Sequence, residues 1–560
     1  MTSTSEQIAE ANFLWGHLVA SGLADLDITT VFFSPGSRST PLIIGCEKEK
    51  RLSCFPALDE RTAAFLALGH AKRTNVPTAV ICTSGSALTH WFPAVTEASY
   101  SGIPLLLLSA DRPPELQECG AGQTINQINL FGSFVRVFHQ SSLPCLEQDG
   151  IRDLQTILQT AYSKSVYPNF GPVHINFSFR EPLWPTADST PKLPLFSSLV
   201  RASFSDQTEH PESTNDLTDI TKASRPVVIA GLNTPCSLPE TFQNIPILCD
   251  SLCSIRETKH PARILRFENL LRCPKFKGSI KPDQFIVLGP LPTSKTLRSW
   301  IEESGAPRLV IEPSGRIVDP LLGISHSIRL NFDQLHRLDL PQSEPGWLEK
   351  WTRAEELVEE KIDLEFEKIS CNYEPKISRI LSEHLPSNSN LYCANSMPIR
   401  DLEWFWKPSE KKRNLFGARG VNGIDGTLGT ALGITHQSNQ STFLLTGELA
   451  FLHDSNALLF ASELIGSLTV LLINNQGGGI FENLSVADLP EFEKCFATPQ
   501  CCDFAKLCAA HSVEYLLIQD EKVLISHIKS PPKKGIRVIE IRTDRKADRK
   551  IRQKLLSLGT

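Results

Sequence analysis

The 560-residue sequence predicts an α/β protein made of three doubly wound, parallel-sheet domains in series. Three observations carry that prediction. The chain is several times longer than one hydrophobic core supports. Its strand-like runs are continuous apolar segments rather than alternating ones, the mark of strands buried on both faces. These runs end repeatedly in turns rich in Gly, Ser or Arg before a helical stretch, which is the habit of βα units.

In chain order, the first domain (1–185) opens with a helix whose apolar positions include Ile8, Leu14 and Leu18, followed by strands in TVFFSPG, TAVICTSG and IPLLLLSADRPP. A Pro/Ser-rich seam at 183–198 separates it from a second domain (200–340) with strands in RPVVIAG, QFIVLGPLP and RLVIEPSG. LPQSEPGW (340–347) closes that block. The third domain (350–560) repeats the pattern at NLYCANS, STFLLTGE and LTVLLINNQGGG. No short-period repeat or low-complexity tract is visible.

Composition narrows the function classes. Hydrophobic residues make up 41% and charged residues 21%, and the formal net charge is -6. That balance offers no field for nucleic acid or an anionic membrane, so an anionic ligand must be met by a local cluster of bases. The start, MTSTSEQIAEANFLWGHL, has neither a basic beginning nor a continuous apolar core, and no apolar run reaches the ~18 residues of a membrane span. A cytoplasmic protein without a membrane span is expected. Fifteen cysteines, scattered without C-x-x-C pairs, read as reduced and mostly buried thiols.

Parallel sheets take their ligands beyond the carboxyl ends of the strands. SPGSRS, TSGS and ADRPP sit there in the first domain, and FLLTGEL and INNQGGG in the third. Between Glu448 and Asn475 there is room for a helix and the next strand, so neighbouring strands would present the two side by side. Gly447 and Gly477 free the backbone around them. A carboxylate, an amide oxygen and a backbone carbonyl suit Mg²⁺, which is held octahedrally by oxygen at about 2.0–2.1 Å. Either turn alone reads equally well as a plain βα connection. Asp59 and Glu60, just before an Ala/Leu-rich helix, read by default as N-terminal charge favoured by the helix dipole.

The Gly447–Glu448 turn followed by Asn474–Asn475 resembles the thiamine diphosphate signature. Taken together, SPGSRSTPL, DERTAAFLALGHAK, CTSGSALTHWFPAVTEA, SADRPPEL, LPTSK, NSMPIRD and RGVNGIDG resemble one family, the 2-succinyl-5-enolpyruvyl-6-hydroxy-3-cyclohexene-1-carboxylate synthases of menaquinone biosynthesis. The resemblance implies the thiamine diphosphate-enzyme fold: a pyrimidine-binding domain, a central domain and a diphosphate-binding domain. It implies a transferase that decarboxylates 2-oxoglutarate and adds the succinyl carbanion equivalent to isochorismate. Its cofactors would be thiamine diphosphate and Mg²⁺, with Mn²⁺ as an alternative ion.

By the same resemblance Glu448, Asn475 and Gly477 hold the metal, Glu60 activates the cofactor, Ile424 is the apolar wedge beneath it, and Gly447 and Phe481 complete its pocket. Ser396, Arg400 and Arg419 take 2-oxoglutarate. Arg38, Arg112, Gln123 and Lys295 fall to isochorismate, and Ser37 is a further substrate-binding candidate. Arg suits both dianionic substrates because its planar fork pairs bidentately with carboxylate. A homodimer is the minimal unit implied, with Glu60 acting on the neighbouring chain's cofactor, and a homotetramer is the expected assembly.

Two positions depart from the family pattern: Glu448 stands where Asp is usual, and Gly122 where Asn is common. The alternatives are another thiamine diphosphate 2-oxoacid decarboxylase or carboligase, and a catalytically silent homologue. A dinucleotide-dependent dehydrogenase is disfavoured because GTLGTALG lacks the G-x-G-x-x-G spacing, and a serine hydrolase because no G-x-S-x-G occurs.

Overall fold

The computed structural model describes residues 4–185, 222–232, 234–313, 318–323 and 325–559. Three six-stranded sheets follow one another along the chain, and every strand pair in them is parallel. The first contains β1 (Thr30–Phe33), β2 (Ser53–Pro56), β3 (Thr78–Cys82), β4 (Leu105–Asp111), β5 (Phe138–Gln140) and β6 (Pro172–Ser178), in the order β2-β1-β3-β4-β6-β5. The second contains β7 (Pro226–Ala230), β8 (Ile247–Cys249), β9 (Arg263–Ile264), β10 (Gln284–Leu288), β11 (Arg308–Ile311) and β12 (Ser325–Ile328), in the order β12-β11-β10-β7-β8-β9.

The third sheet contains β13 (Asn390–Cys393), β14 (Asn414–Phe416), β15 (Thr442–Gly447), β16 (Ser467–Asn474), β17 (Glu514–Leu517) and β18 (Gly535–Arg542). Its order, β14-β13-β15-β16-β18-β17, repeats that of the first sheet strand for strand. This duplication has no visible counterpart as a sequence repeat. The apolar runs were read correctly as two-sided strands: β3, β4, β7, β10 and β13 are buried along their whole length.

The first and third sheets share a core. Phe32, Val80 and Leu107 belong to the same buried cluster as Leu444, Val470 and Val538. Two helices, Glu60–Thr74 and Thr427–Thr435, meet at its centre. They approach backbone to backbone, since a Cβ on Gly69 would lie 2.0 Å from the Thr430 carbonyl oxygen and one on Gly433 would lie 2.1 Å from that of Leu66. Only glycine allows that closeness.

The helix Trp347–Phe366 packs on the second sheet, where Trp347, Trp351 and Val358 join Phe285, Val287 and Trp300. A division at 350 gives most of this helix to the third domain, whereas its apolar stripe extends the core of the second. Of the 183–198 seam, residues 186–198 lie outside the described residues, as do 200–221 at the start of the second block. All fifteen cysteines are free. Among the described residues no helix is long and apolar enough to cross a membrane.

Candidate active site

The carboxyl ends of β13, β15 and β16 open into a cavity of about 340 Å³. It lies where the order of the third sheet reverses, between β13 and β15, the usual crevice of a doubly wound sheet. Register brings the motif residues together, because Gly447 pairs with Ile473 and the two strands end in step. Ser396, Arg400, Arg419, Ile424, Gly447, Glu448, Asn475, Gly477 and Phe481 all line this cavity.

One group of lining residues, around Glu448 and Asn475, has the chemistry to meet a cation. Glu448 is 2% exposed and begins the helix Glu448–His453. Its Oε1 accepts a hydrogen bond from the Gly477 amide at 2.5 Å. Burial pushes its carboxyl up to about 7, assisted by the nearby negative charge of Glu374. Asn475 is 8% exposed, and its Oδ1 has no hydrogen-bond partner although it is buried. Gly477 holds φ at 142°, and a Cβ there would lie 2.6 Å from the Ala497 carbonyl oxygen. A buried carboxylate beside an orphaned amide oxygen fits a hard divalent cation such as Mg²⁺.

A second group of lining residues, around Arg400 and Arg419, has the chemistry to meet an anion. The Asn395 amide donates to the carbonyl oxygens of Ala418 and Gly423 at 2.8 and 2.7 Å, tying β13 to the 417–424 loop. Its Oδ1 accepts from Arg419 at 2.6 Å. Ser396 adopts φ 71° and ψ -128°, a strained conformation for a residue with a Cβ, and its carbonyl accepts from Arg400 at 2.6 Å. Burial, then the positive charge of Arg419, lowers the pKa of Arg400. Two guanidinium groups held close at a cavity wall, with donors to spare, suit a carboxylate-bearing ligand. Ile424, Met397, Pro398 and Phe481 add apolar surface to the same lining.

Several of these supports escaped sequence reasoning. Glu97, 3% exposed, accepts from the amides of Gly420 and Val421 at 3.0 and 2.8 Å and so anchors the Arg419 loop from the first domain. Asn395 is legible in NSMPIRD but drew no attention beside Ser396. Glu374 and Thr293 also line the cavity. Thr293 lies in LPTSK, the motif from which only Lys295 was selected.

The other expected residues are not among those lining this cavity. Asp59 caps the helix Glu60–Thr74, accepting from the Arg61 amide at 2.8 Å, so the default role of the acid pair falls to Asp59. Glu60 is half-buried, and its carboxylate makes no hydrogen bond or ion pair among the described residues. Ser37 is exposed. Arg38 is buried, with its guanidinium on the Phe179 carbonyl at 2.9 Å and on Glu181 at 2.8 Å. Arg112 donates to the Gly122 carbonyl at 3.1 Å. The Gln123 amide donates to the Ser84 carbonyl at 3.1 Å. Lys295 is exposed at the start of the helix Lys295–Ser304.

Comparison with known proteins decides the family. Residues 15–130 match the N-terminal TPP binding domain of thiamine pyrophosphate enzymes. The chain is 40% identical to the 2-succinyl-5-enolpyruvyl-6-hydroxy-3-cyclohexene-1-carboxylate synthase of Trichodesmium erythraeum, over 96% of each chain. It belongs to that synthase family. The Synechococcus elongatus synthase is also 40% identical, over 98% of this chain and 96% of its own. Among solved structures, benzoylformate decarboxylase from Polynucleobacter necessarius shares the fold, with a TM-score of 0.70 at 16% identity, covering 95% of this chain and 98% of that one. The synthase-family reading made from the strand-end motifs therefore holds, as does the three-sheet architecture.

Proposed function

We propose that this chain decarboxylates 2-oxoglutarate and adds the resulting succinyl carbanion equivalent to isochorismate, giving 2-succinyl-5-enolpyruvyl-6-hydroxy-3-cyclohexene-1-carboxylate and CO₂. The reaction belongs to menaquinone biosynthesis, and we place it in the cytoplasm, where fifteen free cysteines stay reduced. The observation that carries the reading is a single cavity lined by a buried carboxylate, an orphaned amide oxygen and two guanidinium groups. The identity of full-length relatives supports the substrates.

Thiamine diphosphate, bound through Mg²⁺ or Mn²⁺, supplies the electron sink that makes loss of CO₂ from a 2-oxoacid feasible. Glu448, Asn475 and the Gly477 carbonyl are the groups that hold the metal. Gly447 leaves its side of the cavity free, and Ile424 and Phe481 give the cofactor an apolar seat. Arg400 and Arg419 orient the 2-oxoglutarate carboxylates, and the Ser396 carbonyl steadies Arg400. The apolar residues of the lining lower the local dielectric, which strengthens these charge contacts.

Glu60 acts on a neighbouring copy in this reading. Its carboxylate is unpaired among the described residues, it lies off its own chain's cavity, and Leu58 beside it is 69% exposed. A dimer is then the minimal active unit, and a homotetramer is its symmetric extension. Arg38, Arg112, Gln123, Lys295 and Ser37 are assigned to the isochorismate side of the shared site.

The test is product formation followed by mass spectrometry with 2-oxoglutarate, isochorismate, thiamine diphosphate and Mg²⁺. Product that needs all four, and that falls at least a hundredfold in Glu60→Gln and in Asn475→Ala, is the expected result. Turnover of 2-oxoglutarate with another acceptor, and none with isochorismate, would replace it with a different carboligase.

A further inference from the structure

We propose that Glu374 is the positioning residue that sets the metal-binding face of Asn475. The inference rests on the cofactor reading above. An asparagine amide presents an acceptor on one side and two donors on the other, and only the oxygen can meet a cation. A half-turn of the amide would aim positive hydrogens at the metal.

Glu374 removes that choice. Its Oε1 accepts from Asn475 Nδ2, which leaves Oδ1 as the atom with no partner. Glu374 is 2% exposed, and its second oxygen is ion-paired with Arg552, so both oxygens are engaged by protein partners. The Glu374 amide donates to Asp548 Oδ1 at 3.0 Å. Arg552 is fixed in turn by Asp401, at 2.7 Å from Nε and 2.6 Å from a terminal nitrogen. Three helices, Glu374–His384, Met397–Phe405 and Arg545–Leu556, thereby converge on one amide.

The surroundings agree. Gly479 leaves room for the amide, since a Cβ there would lie 2.8 Å from Asn475 Nδ2. Asn474 is bound elsewhere, donating to Glu540 at 2.9 Å, so the two adjacent asparagines have separate jobs. Partners that orient a ligand commonly govern metal affinity by 10–100-fold.

The test is Mn²⁺ binding in the presence of thiamine diphosphate, read from the loss of the free-ion electron paramagnetic resonance signal, with oligomeric state and apo-protein melting recorded alongside. Glu374→Gln is expected to raise the half-saturating Mn²⁺ concentration about tenfold or more. Glu374→Asp keeps a charge for Arg552 but withdraws it from Asn475, and is expected to shift binding in the same direction with the fold intact. Wild-type binding that is lost in Asn475→Ala and unchanged in folded Glu374→Asp and Glu374→Gln overturns the positioning role while leaving the cofactor reading in place. Absence of Mn²⁺ binding by the wild type overturns both.

Discussion

At the scale of single residues, the motif positions were legible because strand ends in a parallel sheet are places where the chain must turn. A carboxylate, an amide and glycines clustered there signal more than a turn requires. Glu374 was not legible: it stands 101 positions from Asn475, and nothing local distinguishes it from an ordinary acid in the first turn of a helix. Gly122, expected from the sequence to depart from the family pattern, has a clear structural setting. Its carbonyl accepts from Arg112, its backbone is free of positive φ, and a Cβ there meets nothing within 4 Å. Gly122→Asn is therefore expected to fold normally. If Arg112 and Gln123 face isochorismate, the added amide supplies one hydrogen bond, lowering KM for isochorismate about 2- to 10-fold and leaving that for 2-oxoglutarate unchanged. Steady-state kinetics with each substrate varied in turn checks this, and an equal effect on both would detach the loop from the acceptor.

At the scale of elements, continuous apolar runs disclosed the strands, yet the partnership of the helix Trp347–Phe366 depended on tertiary packing that no local pattern encodes. Its apolar stripe joins the second sheet, while Glu359 on its other side links the second and third domains. Glu359 is ion-paired with Arg266 and lies 2.7 Å from Arg379, and Arg266 also donates to the carbonyls of Trp404 and Trp406 at 2.7 and 2.8 Å. Burial alone would raise the Glu359 carboxyl, but the two arginines outweigh it and hold the group down at about 2. A carboxyl depressed on folding stabilises the protein above its unfolded value of about 4.5, and that contribution is lost as pH falls toward 2. Glu359→Gln is expected to cost about 3 kcal/mol at pH 7, by the shift of roughly 2.5 pH units. The gap in thermal melting between the two proteins should narrow steadily below pH 4.5. A gap independent of pH between 7 and 3 would mean that packing, not charge, is what Glu359 provides.

At the scale of the whole molecule, three sheets were predicted and three are present, but the identical strand order of the first and third was invisible to pattern reading. Any doubly wound sheet shows the same apolar runs, whatever order the strands adopt, so duplication of topology leaves no period to find. The duplication matters because two equivalent crevices face different fates. The crevice of the third sheet holds the cavity lined by Glu448, Asn475, Arg400 and Arg419, whereas the first domain carries Glu60 off that cavity with its carboxylate unpaired among the described residues. In the proposed reading one catalytic site is built from two chains. Complementation tests it most directly: coexpress Glu60→Gln and Asn475→Ala chains, confirm that each folds and assembles alone without activity, and measure product formation by the mixture. In a mixed dimer one site carries both lesions and the other carries neither, so about one quarter of wild-type activity is predicted for random assembly into dimers. No activity from verified mixed dimers would contradict the account, because it would show that Glu60 and Asn475 serve the same site from the same chain.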